Sequence, residues 1–428
     1  MHAILRALAF GAIALAGTAS AATPAFLKAQ ALRAEAEAAM ERGDYGAAET
    51  ALTAALELRP GHPGITLALA AAEAENGESD AALTHLEQFA GMGLAAVLDT
   101  GGTFAALLGE PRFIGVQTTM ARNLAPVGSP QIAYQLGNGR ALFEGLAIDA
   151  ASGRVFAGSV TERRIVVVNQ GTVSDFVPPS AGLWSVFGLA IDAPRGLLWA
   201  ASAAVPQTGG VKPDEIGAAG LFAFDLATGE LKRKAVLPAA AKAALGDLAI
   251  AADGTVYVSD SAGAVIYRLP PGADTLETFS NEERFVSPQG LTLVANDTIL
   301  VVADYAMGLY TIDVATKKMT ALAPLSGTTL LGIDELTGGE GNLLLATQNG
   351  VNPQRVLRIA VGEDWSRIRQ VAVLAANAPF HREITLGQIV GGDFYYIANS
   401  QWDRFGEDGA TPDDAPFEET VVAKVPFK

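Results

Sequence analysis

The chain has 428 residues, of which half are apolar and 18% are charged, so a disordered protein is excluded and two domains are expected. A formal charge of −17 without any basic run excludes nucleic acid and anionic membranes as partners, because both attract clustered Lys and Arg. Cysteine is absent, which excludes disulfides, thiolate metal sites and a cysteine nucleophile.

Residues 1–22 have the three parts of a secretory signal peptide. Arg6 supplies a positive charge, residues 7–17 form an apolar stretch too short to cross a bilayer, and Ala-Ser-Ala at 19–21 matches a small-residue cleavage site. A buried N-terminal helix is the alternative. No later segment reaches 18 uncharged apolar residues, so we expect no membrane span and a soluble periplasmic or secreted protein.

Residues 23–125 carry Ala, Leu and Glu at three- and four-residue spacings, which predicts helices. A set of small and apolar residues recurs after 34 residues, since Gly43, Ala48 and Leu52 return as Gly77, Ala82 and Leu86. With Tyr45 and Pro60, this spacing resembles the tetratricopeptide repeat, which implies pairs of antiparallel helices. Two repeats are fewer than a free solenoid needs, so we expect the helices to pack against the rest of the chain, as a structural cap or a peptide-binding groove.

From residue 131 to 428 the pattern changes to short strands separated by turns. Six related segments follow one another, and the positions that we align are Gly145, Gly188, Asp247, Gly290, Gly332 and Gly387. Their spacings are 43, 59, 43, 42 and 55 residues, and a period of about 40 to 45 residues is typical of a propeller blade. The predicted fold is an all-β six-bladed propeller behind an α-helical domain. A β-sandwich would not need six copies of one unit.

The two ends of the propeller are predicted to close the ring. The last segment has about three strands, so residues 131–135 are expected to supply its outer strand. The longer spacings mark insertions at residues 205–220 and 400–419, both between the second and third strands of a blade. Such loops lie on the face where the inner strands begin, so both insertions are expected at one mouth of the channel.

The loop at 400–419 carries seven acidic residues against the single Arg404. A negative potential at the mouth favours a hard cation or a cationic ligand. A solvated acidic loop on an acidic protein is the simpler interpretation.

The repeated segments, with Val-Ser-Asp-Ser at 258–261 and Ala-Asp-Tyr-Ala-Met-Gly-Leu at 303–309, resemble the calcium-dependent six-bladed propellers. That group includes gluconolactonase, senescence marker protein, the paraoxonases and strictosidine synthase. The resemblance implies a divalent cation at the channel mouth, held by a glutamate, two asparagines and an aspartate. Glu144 stands at the glutamate position, while the other positions that we align with it are Phe187, Gly246, Gln289, Leu331 and Leu386. The asparagines are missing, which leaves Glu144, Asp247 and Gln289 as candidate calcium ligands.

His381 is the single histidine of the propeller segment and a candidate general base, with Glu383 to orient its ring. A lone histidine in a loop is more often a surface residue. No nucleophile elbow, phosphate-binding loop or zinc-protease motif occurs in the sequence.

Asn399, Gln401 and Trp402 place two amides and an indole where a strand opens onto the mouth. Phe187 would give the same pocket an apolar wall, and Asp304 stands at the equivalent loop of the fourth blade. An amide pair beside a large aromatic suits a polar organic ligand. Plain packing of the loop, with the indole over the channel end, suits these residues equally well.

The sequence therefore favours an exported binding protein, in which the propeller mouth and the helices recognise a small polar ligand or another exported protein. The alternative is a calcium-dependent lactonase or esterase of the gluconolactonase type. In that enzyme Asp304 would join the calcium ligands, and an acidic residue or His381 would move the proton. No cofactor other than calcium is suggested.

Overall fold

The structure is a computed structural model that describes residues 23–137, 139, 141–411 and 417–428. The predicted signal peptide lies outside the described residues, as does the part of the acidic loop that contains Asp413 and Asp414. Within the described ranges five α-helices precede 24 β-strands. None of these helices is both long and apolar enough to cross a membrane.

The helices form two antiparallel pairs and a fifth, capping helix, and their bounds are α1 Pro24–Glu41, α2 Tyr45–Leu58, α3 Pro63–Glu75, α4 Ser79–Gly91 and α5 Pro111–Asn123. Gly43 and Gly77 turn the chain inside each pair with φ angles of 73° and 84°, which glycine adopts without strain. The repeated alanines Ala48 and Ala82 are fully buried, so the paired helices approach closely. The predicted tetratricopeptide-like pairs are confirmed.

The strands, in chain order, form one clasp strand and six consecutive blades. The clasp strand is β1 Gln131–Gln135. Blades 1 and 2 contain β2 Phe143–Ile148, β3 Val155–Ser159, β4 Ile165–Asn169, β5 Thr172–Val177, β6 Ser185–Asp192, β7 Leu197–Ala203, β8 Ala219–Asp225 and β9 Leu231–Val236. Blades 3 and 4 contain β10 Leu245–Ile250, β11 Val256–Asp260, β12 Val265–Leu269, β13 Glu277–Ser280, β14 Pro288–Val294, β15 Ile299–Asp304, β16 Gly308–Asp313 and β17 Met319–Leu322. Blades 5 and 6 contain β18 Ile333–Gly339, β19 Leu343–Gln348, β20 Arg355–Val361, β21 Ile368–Ala376, β22 Gly387–Val390, β23 Asp393–Ile397 and β24 Val421–Pro426.

Each blade is a four-stranded antiparallel sheet, and the sixth is completed by the clasp strand in the order β1-β24-β23-β22. Gln131 pairs with Lys424 and Gln135 with Val421. The predicted six-bladed propeller and its closure by residues 131–135 are confirmed. The first and last strands of the propeller thus share one sheet, and the ring leaves no long free edge.

The blades are joined by apolar clusters, each between two neighbouring sheets. At the inner end they approach so closely that only glycine fits. A Cβ on Gly145 would lie 2.1 Å from the carbonyl oxygen of Phe187, and one on Gly188 would lie 2.5 Å from that of Gly246. This close approach gives a physical reason for the repeated Gly-Leu in the sequence.

The helices are seated on the mouth face, over the loops between the second and third strands of blades 4 and 5. The buried Arg355 of β20 donates from Nη1 to the carbonyl oxygen of Met92 at 3.0 Å. Asn352 and Ala95 exchange two hydrogen bonds, of 2.8 and 3.0 Å. Val351 belongs to the apolar core of the helices. The expected packing of the helical repeats against the rest of the chain is therefore confirmed.

Candidate functional site

The inner strands define the row of residues at the channel mouth. Each of five inner strands has a leucine paired with its second strand, namely Leu146, Leu189, Leu248, Leu291 and Leu336. The position two residues earlier begins the row, which contains Glu144, Phe187, Gly246, Gln289 and Asp334. Blade 6 is aligned by an equivalent hydrogen bond: the N–H of Gly387 bonds to Glu335 of blade 5, just as the N–H of Leu291 bonds to Asp247 of blade 3. Gly387 therefore corresponds to Leu291, and the row continues two residues earlier, at Thr385.

This register corrects two assignments made from the sequence. Leu331 and Leu386 do not belong to the row; their places are taken by Asp334 and Thr385. The reason in blade 5 is a turn before β18, where Gly332 has a φ of 70° and donates its N–H to the carbonyl oxygen of Tyr305 at 2.7 Å. The turn delays the inner strand by three residues and brings an aspartate to the mouth.

Five buried or half-buried carboxyl groups, which we call the channel carboxyls, surround the mouth: Glu144, Asp247, Asp334, Glu335 and Glu383. Burial raises the pKa of Asp247, Asp334 and Glu383 to about 7. It also raises the pKa of Glu144 and Glu335 well above the usual range. The charge of Asp334 adds to the rise in the pKa of each of the other four.

The channel carboxyls are held by uncharged donors. The indole Nε1 of Trp402 donates to Glu144 at 2.7 Å, and the Nδ2 amide of Asn349 donates to Asp334 at 2.9 Å. The N–H of Leu291 donates to Asp247 at 3.0 Å. The ion pairs found in the described part of the chain involve none of the five channel carboxyls. When these groups ionise, their negative charge is therefore not balanced by a described basic side chain.

The predicted calcium ligands Glu144, Asp247 and Gln289 each make a hydrogen bond within the protein. Across the described ranges, no three His, Cys, Asp or Glu side chains are grouped so that they could hold a metal ion. The Gln289 amide donates to Ser287 Oγ at 3.2 Å, and Glu144 is bonded to Trp402. Asp304 is fully buried and accepts four backbone N–H bonds from its own and a neighbouring loop, so it holds the backbone rather than a ligand.

Trp402 and Phe187 are brought together over Glu144. Their ring centroids are 6.4 Å apart and their planes are within 7° of parallel. Trp402 lies in a short 3-10 turn, Trp402–Arg404, in the insertion of blade 6. The Gln207 amide of the blade 2 insertion donates to the carbonyl oxygen of Gly406 at 3.0 Å. The two insertions therefore meet at the same mouth, as expected.

The two predicted ligand-binding amides are committed to the loop itself. Asn399 donates to the carbonyl oxygen of Glu419 at 2.9 Å and accepts from the N–H of Val421 at 2.8 Å. Gln401 makes the same pair of bonds with the backbone of Glu418, at 3.1 and 2.7 Å. Both side chains are almost fully buried. Of the two interpretations of this motif, the structure gives the amides the packing role: they tie together the two ends of the insertion.

His381 and Glu383, predicted as a base and its orienting carboxylate, are each hydrogen-bonded to another group. Its Nε2 is 2.8 Å from the hydroxyl of Tyr396, and its ring packs edge-on against Phe380. Burial lowers its pKa to about 4, and Nδ1 has no hydrogen-bond partner among the described residues. Glu383 instead accepts from the N–H of Asp403 at 3.0 Å. The ring is thus a neutral group packed on an aromatic core.

Sequence reasoning missed Asp334, Glu335 and the polar chain behind them. The Tyr305 hydroxyl donates to Asn349 Oδ1 at 2.9 Å, and Asn349 donates to Asp334. Burial, and then the charge of Asp334, raise the pKa of Tyr305. The sequence did contain a signal for this register. Glu-Leu-Thr at 335–337, directly after Asp334, repeats Gly-Leu-Thr at 290–292, directly after Gln289.

Comparison with known proteins gives one family match and several similar structures. A family model described as tetratricopeptide repeat matches residues 39–89. No curated protein matches the sequence significantly. Among solved structures, the chain is similar to the calcium-binding protein regucalcin from Agrobacterium tumefaciens, at 15% identity over 71% of this chain and 97% of that one, with a TM-score of 0.49. It is also similar to a gluconolactonase from Xanthomonas campestris (15% identity, 71% and 96% coverage, TM-score 0.46). A third is PQQ-bound aldose sugar dehydrogenase from Streptomyces coelicolor (12% identity, 70% and 99% coverage, TM-score 0.45). These similarities concern the fold alone.

Proposed function

We propose that the protein is an exported binding protein whose propeller mouth recognises a small organic cation, with the helices as a second recognition surface. The observation that carries the proposal is the group of five channel carboxyls with uncharged hydrogen-bond donors only. Each buried carboxylate is costly while it lacks an opposite charge. A bound ammonium group near Asp334 would supply that charge, because the charge of Asp334 acts on the other four carboxyls.

The aromatic pair supports the same kind of ligand. Trp402 and Phe187 form a stacked apolar surface next to Glu144. A cation gains energy both from carboxylates and from the face of an indole ring. A pocket with an aromatic wall and a few charged groups is typical of sites for small polar molecules.

Access to the carboxyls would require movement of Trp402. The indole donates its only hydrogen-bonding proton to Glu144. A cationic ligand would take the place of that donor, so binding and opening of the blade 6 insertion are coupled. We therefore expect the tryptophan fluorescence of the protein to change when a ligand binds.

The test is calorimetric titration with putrescine and choline, with 1,4-butanediol as the uncharged match for putrescine. We expect an amine to bind, the diol not to bind, and affinity to increase between pH 6 and 8 as the channel carboxyls ionise. Asp334→Asn should weaken amine binding about tenfold, while the matched variant Glu340→Gln, in the exposed turn directly after the same inner strand, should bind as wild type. Equal binding of amine and diol, or an unchanged affinity in Asp334→Asn, would contradict the proposal.

A calcium-dependent lactonase or esterase is the second candidate. The observation that favours it is the corrected register, because Asp334 now shares the mouth row with Glu144 and the two carboxyls interact. The carboxyl oxygens of Asp334 and Glu144 would have to move closer to each other to hold calcium, which takes six to eight oxygen ligands. Thermal unfolding in millimolar calcium and in chelator separates the candidates. A rise of several degrees with calcium, together with lactone hydrolysis that Glu144→Gln abolishes, would replace the binding proposal.

A further inference from the structure

A separate cavity lies within the helical domain, between α1, α2 and α3. Its volume is 230 Å³. Gln30, Arg33 and Glu37 of α1 form a polar rim, and an apolar floor is provided by Met40, Leu52 and Ala68. A smaller cavity of 30 Å³ shares Gln30 and Arg33 and reaches Arg59 and Ala306, the latter on the propeller. Arg33 therefore lies between the two spaces, at the junction of the helices and the propeller.

Two guanidinium groups of like charge are partly buried at this junction. Arg33 donates from Nη1 to Gln30 at 3.1 Å, and Arg59 donates from Nη2 to the carbonyl oxygen of Ala306. The Arg59 guanidinium also lies 5.3 Å from the centre of the Phe26 ring. Neither arginine takes part in an ion pair found among the described residues.

The groups around the two arginines carry charges of both signs. Burial lowers the pKa of Arg33 and of Arg59. The charge of Glu37 opposes this at Arg33 and that of Asp304 opposes it at Arg59, while the charge of Arg33 lowers the pKa of Arg59 further. Burial, followed by the charges of both arginines, lowers the pKa of His62 to about 3, so His62 stays neutral. Glu37 lines the same cavity as Arg33, but neither it nor Asp304 forms an ion pair with these arginines among the described residues.

Two like charges held in a partly buried place favour an anion between or beside them. The planar guanidinium fork matches the two oxygens of a carboxylate. The apolar floor beside Arg33 offers a place for an aliphatic chain. We propose that this cavity binds an aliphatic carboxylate, with its head group on Arg33 close to Arg59 and its chain over Met40, Leu52 and Ala68.

A free short-chain acid and a peptide that ends in an aliphatic residue both present this chemistry. The inference rests on the proposed function in one respect, namely that the helices form a second recognition surface. The channel carboxyls take no part in it, so the two proposals fail or succeed separately.

The experiment titrates the whole mature protein with hexanoate, hexanol, and the peptide acetyl-Gly-Gly-Leu with a free or an amidated C-terminus. We expect hexanoate or the free peptide to bind and hexanol and the amidated peptide not to bind; the stronger of the two binders identifies the source of the carboxylate. Arg33→Gln should weaken that binding about tenfold or more. Arg42→Gln, at the exposed end of the same helix, is the matched control and should bind as wild type.

Thermal unfolding of both variants checks that each is folded, and Arg33→Gln is expected to unfold at or above the wild-type midpoint, since it removes one of two like charges. The proposal is overturned if neither carboxylate binds at millimolar concentration, if the amidated peptide binds as well as the free one, or if folded Arg33→Gln binds as tightly as wild type.

Discussion

Asp247, Asp334 and Glu383 have pKa values raised to about 7, first by burial. In the unfolded chain such groups ionise near pH 4, so above that pH the folded protein keeps protons that the unfolded chain has lost, and its stability falls as the pH rises towards about 7. The buried His62 and His381, with pKa values lowered to about 3 and about 4, act in the opposite direction. Their contribution ends near pH 6.5, above which both states are unprotonated. Between about pH 6.5 and 8 we therefore expect the free energy of unfolding to fall by about 1 kcal/mol for each carboxyl group.

Denaturant unfolding at pH 6.5 and 8 measures this fall. Asp334→Asn keeps an oxygen to accept from Asn349 but cannot ionise, so it should remove at least its own share of the fall and be more stable than wild type at pH 8. Glu340→Gln, in the exposed turn after β18, should retain the wild-type slope. A wild-type stability that rises over this interval would show that the channel carboxyls are ionised without penalty.

Residue by residue, the sequence predicted part of this site. The position of Glu144 followed from the repeated Gly-Leu, because that pattern reflects the close approach of the inner strands. Asp334 was missed because the period was carried from Gly290 to Gly332, whereas the turn at Gly332 delays the next strand. The partners of Asn399 and Gln401 were not predictable, since an amide has the same chemistry whether it meets a ligand or a backbone group.

At the scale of elements, the insertion of blade 6 is fastened at its base by Asn399 and Gln401. Asn399→Ala would leave the buried N–H of Val421 and carbonyl of Glu419 without these bonds, and we expect a loss of about 2 kcal/mol of stability. Hydrogen exchange should become faster at the ends of residues 400–419, while the β14–β15 hairpin should exchange as in wild type.

Asn281→Ala, at an exposed position of a loop, is the control for loss of an amide and should change neither quantity. If Asn399→Ala exchanges and unfolds as wild type, the insertion is held by other contacts, such as the Trp402–Phe187 stack.

At the scale of the whole molecule, the ring depends on pairing between its first and last strands. Gln131 and Lys424 are register partners in β1 and β24, and the chain contains no other cysteine with which a new pair could exchange. In Gln131→Cys/Lys424→Cys, oxidation should raise stability by about 3 kcal/mol relative to the same protein after reduction, because the crosslink fixes two distant ends of the unfolded chain. The ion pair between Lys424 and Asp393 is lost in both forms and cancels. Equal unfolding of the two forms would mean that the clasp opens only after the blades have unfolded.

The clasp also determines how far the helices can travel. Helix α5 ends at Asn123 and the clasp strand begins at Gln131, and within this connection Val127 forms a bridge to Ala376. A connection of this length reaches at most about 29 Å when fully extended. A helical domain displaced from blades 4 and 5 would remain at a high effective concentration and return in a first-order step, independent of protein concentration. The helical domain therefore stays close to the propeller mouth and competes there with any large partner. A small molecule avoids this competition and should bind faster.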